Sequence, residues 1–307
     1  MSQWIKRLMN SSQRRSLREE GAVVGAGAAG RGLRGGPRAL LAAGVAAGEE
    51  LAWLAAHALT YPAGLLAERA ALEDPRYRID TLSPLMRGLI TADIDAAGMP
   101  ILLVHGIGDN RSAFPVLRRT LRRRGYGRIS TISYSPLTSD IRRAATDLGR
   151  QIERVCSQTG YEQVFVVGHS LGGVIARYHV QCQGGDERVH TLVTLGSPHA
   201  GTQLAWLAPL APLARQLRPG SGLMRELAAP APRCATRFVA IYSNRDEVVL
   251  PNRSARLDHP DLSVTRLQVP GVGHLALLVN GAVMHAVAAA LAARETEDTP
   301  MAQSPAS

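Results

Sequence analysis

From residue 101 onward, the chain alternates short runs of apolar, often β-branched residues with longer segments of helical periodicity. The apolar runs predict six strands, at 101–104, 128–134, 164–168, 189–195, 237–243 and 264–269. The intervening segments predict helices, most clearly at 140–157, 171–181 and 274–293. Strands that alternate with helices form a mostly parallel sheet with helices on both faces, so the predicted fold class is α/β. In such a sheet, the functional site is expected at the carboxyl ends of the strands.

The regions outside this pattern have a different composition. Residues 1–38 combine arginine, serine and glycine with no sustained period, which predicts a disordered basic tail. Residues 39–84 begin with a mostly apolar stretch and predict a helical N-terminal extension. The predicted globular domain occupies residues 85–294, and residues 295–307 predict a disordered C-terminal tail.

The apolar stretch at 39–66 bears on the location of the protein. Its adjacent acids, Glu49 and Glu50, argue against a membrane span. A basic segment followed by the apolar run 39–47 also fits a secretory signal, although the preceding segment is longer than usual. We favour a packed or membrane-surface helix and keep a signal or anchor as the alternative. On this basis a membrane-associated or exported location is favoured, with a cytoplasmic one as the alternative.

The formal net charge of +10 does not indicate a nucleic-acid partner. Many of the basic residues lie in the N-terminal tail, without interleaved aromatic residues or a nucleic-acid motif. A second group is predicted to form the solvent-facing side of a helix and comprises Arg118, Arg119, Arg122, Arg123 and Arg124. The segment GAGAAG at 25–30 matches a dinucleotide-binding fingerprint, but no strand precedes it and glycines interrupt the following helix. We therefore exclude a dinucleotide-binding domain there.

Three cysteines are too few and too irregularly spaced for a metal site or a disulfide framework. If the protein is exported, a disulfide between Cys156 and Cys234 is the first pairing to test. Cys182 would then remain as a buried thiol near the end of a helix.

The segment GHSLG at 168–172 matches G-x-S-x-G directly between a predicted buried strand and a predicted helix. That context predicts a nucleophile elbow, a sharp turn that presents a serine at the carboxyl end of a strand. Gly168 and Gly172 are needed because side chains there would collide with neighbouring backbone. Ser170 is therefore the candidate nucleophile.

A serine hydroxyl becomes a good nucleophile only when a base removes its proton and an acid orients that base. After an elbow of this kind, the acid precedes the histidine along the chain. Asp246 follows the strand at 237–243, and His274 follows the strand at 264–269, so both are expected at strand ends. Asp258 and Asp261 are the alternative acids.

The amides of Leu171 and Ile107 are the predicted donors to the oxyanion that forms in acyl transfer. Ile107 belongs to the loop HGIG at 105–108, which follows the first strand. His169 is expected to pack or to support the site, and His199 to be structural or to face the substrate. The residues predicted to line or support the substrate pocket are His105, Gly106, His169, His199, Trp206, Leu207 and Leu210.

Five motifs in this order resemble the bacterial lipase/esterase branch of the α/β-hydrolase superfamily, in detail the triacylglycerol-lipase-like proteins of high-GC Gram-positive (actinobacterial) species. They are HGIGD at 105–109, GHSLGG at 168–173, LVTLGSPHAGT at 192–202, SNRDEVV at 243–249 and GVGH at 271–274. The resemblance implies hydrolysis of carboxylic esters through an acyl-enzyme on Ser170, with His274 as base and then acid and Asp246 orienting it. It also implies an ester or lipid substrate and no organic cofactor. No acidic or histidine cluster in the sequence marks a metal site.

Residues 203–232 are apolar, contain several prolines and lie between two predicted strands. They predict a lid-like insertion or an acyl-chain wall, with a helix packed on the sheet as the alternative. A thioesterase or acyltransferase on the same scaffold is the alternative enzyme. A non-catalytic membrane-associated protein is the alternative of another class.

Overall fold

The computed structural model describes residues 98–107, 114–132, 134 and 139–293. The predicted tails at 1–38 and 295–307 and the predicted extension at 39–84 lie outside these residues. The domain boundaries derived from the sequence therefore stay predictions.

Six strands form one parallel sheet in the described part of the chain, in the spatial order β2-β1-β3-β4-β5-β6. Their bounds are β1 Ile101–Val104, β2 Ile129–Ile132, β3 Val164–His169, β4 Val189–Leu195, β5 Arg237–Ser243 and β6 Val264–Val269. The predicted α/β class is confirmed. β2 is shorter than predicted, because it is an edge strand whose ladder partner β1 offers only the four residues that pair with 129–132.

The helices are α1 Pro115–Arg123, α2 Ile141–Thr159, α3 Leu171–Cys182, α4 Pro212–Gln216, α5 Gly222–Leu227 and α6 Gly281–Ala292. Short 3₁₀ turns occur at Gly185–Glu187, Gln203–Leu207, Asn252–Ala255 and Leu275–Leu278. The continuous helix predicted at 274–293 is wrong, because the chain makes a 3₁₀ turn first and then starts α6 anew. Asn280 caps this new helix, since its side-chain oxygen accepts hydrogen bonds from the amides of Ala282 and Val283.

The sheet separates two hydrophobic cores, and alternate residues of β1 contribute to each. Leu102 and Val104 pack in the core that includes residues of α2 and α3. Ile101 and Leu103 pack in the other core, with residues of α1 and α6. Helices therefore cover both faces of the sheet, as the alternating sequence pattern predicts.

The arginine-rich helix α1 confirms the predicted solvent-facing side. Leu117 and Leu121 are buried on its inner face. The arginines of the group between 118 and 124 are exposed or half-buried. The charge of this helix therefore faces water and covers an apolar stripe.

The three cysteines are all free, so the disulfide considered between Cys156 and Cys234 is not formed. Cys156 is buried, and its thiol lies 3.6 Å from the carbonyl oxygen of Glu162. Cys182 is exposed rather than buried, because it is the last residue of α3 and lies where that helix leaves the core.

Among the described residues, no helix is both long enough and apolar enough to cross a membrane.

Candidate active site

Ser170 occupies the turn between β3 and α3, as the elbow requires. Its backbone has φ 52° and ψ −123°, a region that residues with a side chain rarely adopt. The amide of Ser170 donates to the carbonyl of Leu195 at 2.9 Å, which holds this turn against the end of β4. Ser170 keeps 7% of its surface in contact with solvent. Ser170 is thus a residue with a strained backbone at the end of a strand, and little of its surface is accessible to solvent.

The two glycines that flank the serine allow this turn for a steric reason. A Cβ atom on Gly168 would lie 2.5 Å from the Cα of Gly173. A Cβ atom on Gly172 would lie 2.5 Å from the carbonyl oxygen of His105. Both distances are shorter than any real contact of this kind, so the backbone of the elbow closes only with glycine at these positions.

Asp246 and His274 form a buried pair at the same edge of the sheet. Asp246 lies in the loop after β5, His274 lies in the loop after β6, and Nδ1 of the histidine is 2.7 Å from Oδ2 of the aspartate. The other carboxylate oxygen, Oδ1, accepts hydrogen bonds from the amides of Val248 and Val249 at 2.9 and 2.8 Å. The carboxylate is therefore fixed on both sides, and the imidazole keeps Nε2 available for a proton.

The turn after β4 lies beside the serine, the acid and the histidine. Ser170 bonds to the carbonyl of Leu195, and the next residue, Gly196, has φ 54°. A Cβ atom on Gly196 would lie 2.9 Å from Oδ2 of Asp246 and 3.2 Å from Nδ1 of His274. All three candidate catalytic residues thus surround one short piece of backbone.

His169 supports the imidazole of His274 from inside the protein. The two rings are 4.8 Å apart between centroids, and Nε2 of His169 is 3.3 Å from the carbonyl oxygen of His274. The side chain of His169 is buried. These contacts favour the predicted supporting role over contact with a substrate.

The loop after β1 lies directly beside the serine. A Cβ atom on Gly106 would lie 3.1 Å from the Cβ of Ser170, so this loop passes within contact distance of the elbow. Ile107 is the next residue and is exposed. The amide of Leu171 is also available, because the first amides of a helix have no partner within it. Both predicted oxyanion donors are therefore close to Ser170 in the chain or in space.

Tyr134 is a neighbour of this loop that the sequence analysis missed. Its ring stacks on the ring of His105, with centroids 4.5 Å apart and planes 20° apart. Its hydroxyl donates to the carbonyl oxygens of His105 and Gly106, at 3.0 and 2.8 Å. The parallel register offered the signal, since Ile132 pairs with Val104 and Tyr134 therefore comes level with Gly106.

The surroundings of His199 favour the structural one of its two predicted roles. It is buried, with Nε2 3.0 Å from the hydroxyl oxygen of Thr194. Burial, together with the nearby guanidinium of Arg177, holds its pKa well below the usual value of a histidine. His199 is therefore neutral at physiological pH.

Arg177 is a second residue that the sequence analysis missed. It is buried in α3 and donates to the carbonyls of His199 and Leu227 and to the side-chain oxygen of Gln181. Burial lowers its pKa to about 10. The guanidinium thus joins the elbow helix to the loop after β4 and to the end of the insertion through neutral acceptors.

Protonation of His199 is expected to destabilise the fold at mildly acidic pH. Its pKa in the folded state lies below that in the unfolded chain, so the unfolded chain binds the proton first as the pH falls. Above about pH 6.5 His199 is neutral in both the folded and the unfolded chain, so its titration does not change the stability. Below it, the free energy of unfolding is expected to fall by about 1.4 kcal/mol per pH unit until the folded-state pKa is reached.

Urea unfolding across the pH range on both sides of about 6.5 measures this effect. His199→Gln should lose less stability toward acidic pH than the wild type, because glutamine takes up no proton when the chain unfolds. His285→Gln is the matched control, since His285 is an exposed histidine of α6. Equal slopes for His199→Gln and the wild type would contradict the assignment.

The insertion at 203–232 forms a 3₁₀ turn and the short helices α4 and α5. Trp206, Leu207 and Leu210 are exposed, and the exposed fraction reaches 90% for Leu210. The guanidinium of Arg218 lies 4.3 Å from the centre of the Trp206 ring. These three apolar residues are therefore not packed on the sheet, and their role as an acyl-chain wall stays a prediction.

The alternative acids lie elsewhere. Asp258 forms an ion pair with Arg266 at 3.0 Å. Asp261 accepts a hydrogen bond from the amide of Ala231 at 2.7 Å. The geometry therefore selects Asp246 as the partner of His274. Within residues 98–107, 114–132, 134 and 139–293, no group of three or more histidine, cysteine or acidic side chains could hold a metal ion.

Comparison with known proteins agrees with this architecture. The family model described as palmitoyl protein thioesterase matches residues 100–217. The mature lipase BlEst2 of Bacillus licheniformis has 20% identity and a TM-score of 0.52, covering 64% of this chain and 92% of its own. A gene product of Listeria innocua has 19% identity and a TM-score of 0.50, covering 66% and 96%. Lipase B of Aspergillus fumigatus has 18% identity and a TM-score of 0.56, covering 64% and 52%.

At these identities, the structural likeness shows the fold. The described part of the chain has the α/β-hydrolase fold, and in it the serine elbow lies beside an acid and histidine pair. The matched family model describes a thioesterase, whereas the solved structures include lipases. The actinobacterial type of the resemblance stays a prediction.

Proposed function

We propose that this protein is a serine hydrolase that cleaves carboxylic esters of apolar acyl chains through an acyl-enzyme on Ser170. The observation that carries the proposal is the 2.7 Å contact between Nδ1 of His274 and Oδ2 of Asp246 beside a serine held at φ 52°. An oriented imidazole next to a strained serine is the arrangement that acyl transfer to a hydroxyl needs.

In the proposed first half-reaction, Oγ of Ser170 attacks the carbonyl carbon of the ester while Nε2 of His274 takes the hydroxyl proton. The carboxylate of Asp246 accepts a hydrogen bond from Nδ1 and stabilises the imidazolium. The amides of Leu171 and Ile107 donate to the oxyanion of the tetrahedral intermediate. Its collapse breaks the bond to the alcohol oxygen, which takes the proton from His274 as it leaves.

In the proposed second half-reaction, water takes the place of the alcohol. His274 removes a proton from the water, whose oxygen attacks the carbonyl carbon of the acyl group on Ser170. The same two amides stabilise the second oxyanion. Collapse breaks the bond to Oγ, returns the proton to Ser170 and releases the carboxylic acid.

The preference for apolar acyl chains rests on the side chains next to the acid loop. The amide of Gln203 donates to the carbonyl of Leu250, and the hydroxyl of Thr202 donates to the carbonyl of Val248. These bonds hold the start of the insertion against the loop that carries Asp246. Apolar side chains are exposed in this region and on the oxyanion loop, namely Leu204, Trp206, Leu207, Leu210, Leu250 and Ile107. An apolar chain beside them would remove this surface from water.

A thioester is the second candidate substrate. The family match supports it, because the matched residues 100–217 include the oxyanion loop, the elbow and the start of the insertion. The chemistry also allows it, because a thiolate leaves with less help from a protonated histidine than an alkoxide does. The same serine, histidine and acid would act in both reactions.

Matched oxygen esters and thioesters of one acyl chain test the proposal. With purified protein, kcat/KM is measured on p-nitrophenyl acetate, butyrate, octanoate and laurate, and on the corresponding acyl thioesters. We expect turnover of the oxygen esters, rising from acetate toward the longer chains. Turnover of thioesters alone would replace the proposal by the second candidate, and turnover of neither would refute it.

A further inference from the structure

We propose that Tyr134 and His105 are positioning residues that aim the amide of Ile107 at the oxyanion through the carbonyl group of Gly106. The inference rests on the proposed function, because it concerns an oxyanion hole. Its basis is a set of contacts in the loop after β1 that the chemistry described above does not use.

The carbonyl oxygen of Gly106 receives two polar contacts. The hydroxyl of Tyr134 lies 2.8 Å from it, and Nδ1 of His105 lies 2.9 Å from it. A carbonyl oxygen only accepts hydrogen bonds, so His105 makes this bond when its Nδ1 carries the hydrogen. In that tautomer, two donors converge on one backbone oxygen.

This oxygen belongs to the same peptide group as the amide of Ile107. A trans peptide is planar, so its C=O and N–H bonds point in opposite directions. Fixing the direction of the Gly106 oxygen therefore fixes the direction of the Ile107 N–H. Donors on the oxygen also polarise the peptide, which strengthens its N–H as a donor.

The peptide needs this support because little else restrains it. Ile107 is exposed, with 58% of its surface accessible, so its side chain does not pack the loop into the core. Gly106 has no side chain, and a Cβ atom there would lie 3.1 Å from the Cβ of Ser170 and 3.2 Å from Nδ1 of His169. The space at position 106 is therefore too narrow for most side chains, which favours glycine. A glycine backbone is also more flexible than that of other residues, so it needs restraint from outside.

The ring of Tyr134 contributes a second restraint. It stacks on the ring of His105, which is itself buried, and this packing restrains the imidazole beside the carbonyl group that it contacts. The hydroxyl of Tyr134 also reaches the carbonyl of His105 at 3.0 Å. Tyr134 thus contacts the carbonyl groups of His105 and Gly106 and the ring of His105. All three groups lie in the segment that links β1 to Ile107.

Tyr134→Phe separates the contribution of the ring from that of the hydroxyl group, since it keeps the stacked ring and removes the hydroxyl. We expect kcat for p-nitrophenyl butyrate to fall about ten- to a hundredfold with little change in KM. The reason is that the amide of Ile107 would no longer point at the oxyanion, whose charge develops only in the transition state. A trifluoromethyl ketone, whose adduct with the serine places an oxyanion in the same position, should lose affinity by a similar factor.

Tyr178→Phe is the matched control. It also removes a tyrosine hydroxyl, one that donates to Glu226 at 2.7 Å and has no contact with the loop after β1. A fall in kcat for this control equal to that of Tyr134→Phe would mean that loss of any tyrosine hydrogen bond suffices, which overturns the inference. Unchanged kcat, or unchanged affinity for the ketone, in Tyr134→Phe would also overturn it.

A spectroscopic measurement distinguishes failure of this inference from failure of the proposed function. The ¹⁵N–¹H resonance of Ile107 should shift upfield in the proton dimension in Tyr134→Phe, because a less polarised peptide has a weaker N–H donor. If the wild type hydrolyses no ester, the proposed function fails, and this shift still measures the restraint on the peptide. An unmoved resonance would overturn the inference by itself.

Discussion

Replacement of Ser170 with alanine is expected to lower kcat for p-nitrophenyl esters by about five to six orders of magnitude. The proposed acyl-enzyme requires Oγ as the attacking atom, and no other group in the described site offers a nucleophile at the tip of the elbow. Residual hydrolysis would come from substrate binding and from the oxyanion donors acting on water. Initial rates at saturating substrate measure the change, with a circular dichroism spectrum to verify folding.

Ser197→Ala provides the matched control for that variant. Ser197 lies one residue beyond Gly196, is buried, and its hydroxyl has no hydrogen-bond partner within the described part of the chain. Its removal is expected to leave kcat within about threefold of the wild type. Retention of more than about a hundredth of wild-type activity by Ser170→Ala would contradict covalent catalysis by this serine.

Asp246→Asn is expected to lower kcat by about three to four orders of magnitude while the protein stays folded. The amides of Val248 and Val249 hold Oδ1, so the asparagine oxygen would take that side and its NH₂ group would face Nδ1 of His274. An NH₂ group there donates to Nδ1, and the histidine then carries its hydrogen on Nε2. In that tautomer it cannot accept the proton of Ser170.

The same kinetic measurement with Asp258→Asn is the control for Asp246→Asn. Asp258 is an alternative acid from the sequence analysis, and its carboxylate pairs with Arg266 on the surface. Its replacement should leave kcat nearly unchanged, because an exposed ion pair contributes little. A severe loss in Asp258→Asn together with an active Asp246→Asn would reverse the assignment of the acid.

The sequence predicts those parts of the site that follow from local pattern. A buried strand, a serine between glycines and a helix lie together in one short segment, so Ser170 can be proposed as the nucleophile without any knowledge of the fold. Asp246 and His274 can then be proposed as its partners because strand ends of a parallel sheet converge at one edge. The predicted bounds of β4 and β5 match those of the structure.

The parts that were missed depend on contacts between distant segments. Tyr134 is an unremarkable residue after an edge strand until the register of β1 and β2 brings it level with Gly106. An arginine in a helix is usually exposed, yet Arg177 is buried. Its polar partners are Gln181 on the same helix, the carbonyl of His199 after β4 and the carbonyl of Leu227 at the end of α5. The break before α6 had a local signal, the capping residue Asn280, which the apolar pattern of 274–293 concealed.

Covalent catalysis by Ser170 can be observed by mass spectrometry after reaction with a p-nitrophenyl alkylphosphonate. Attack by Oγ forms an oxygen–phosphorus bond and expels p-nitrophenolate, which leaves a stable adduct on the enzyme. We expect one phosphonyl group per chain, located by peptide mapping on Ser170, and complete loss of ester hydrolysis. A protein that hydrolyses esters but carries the adduct on another residue, or carries none, would contradict it.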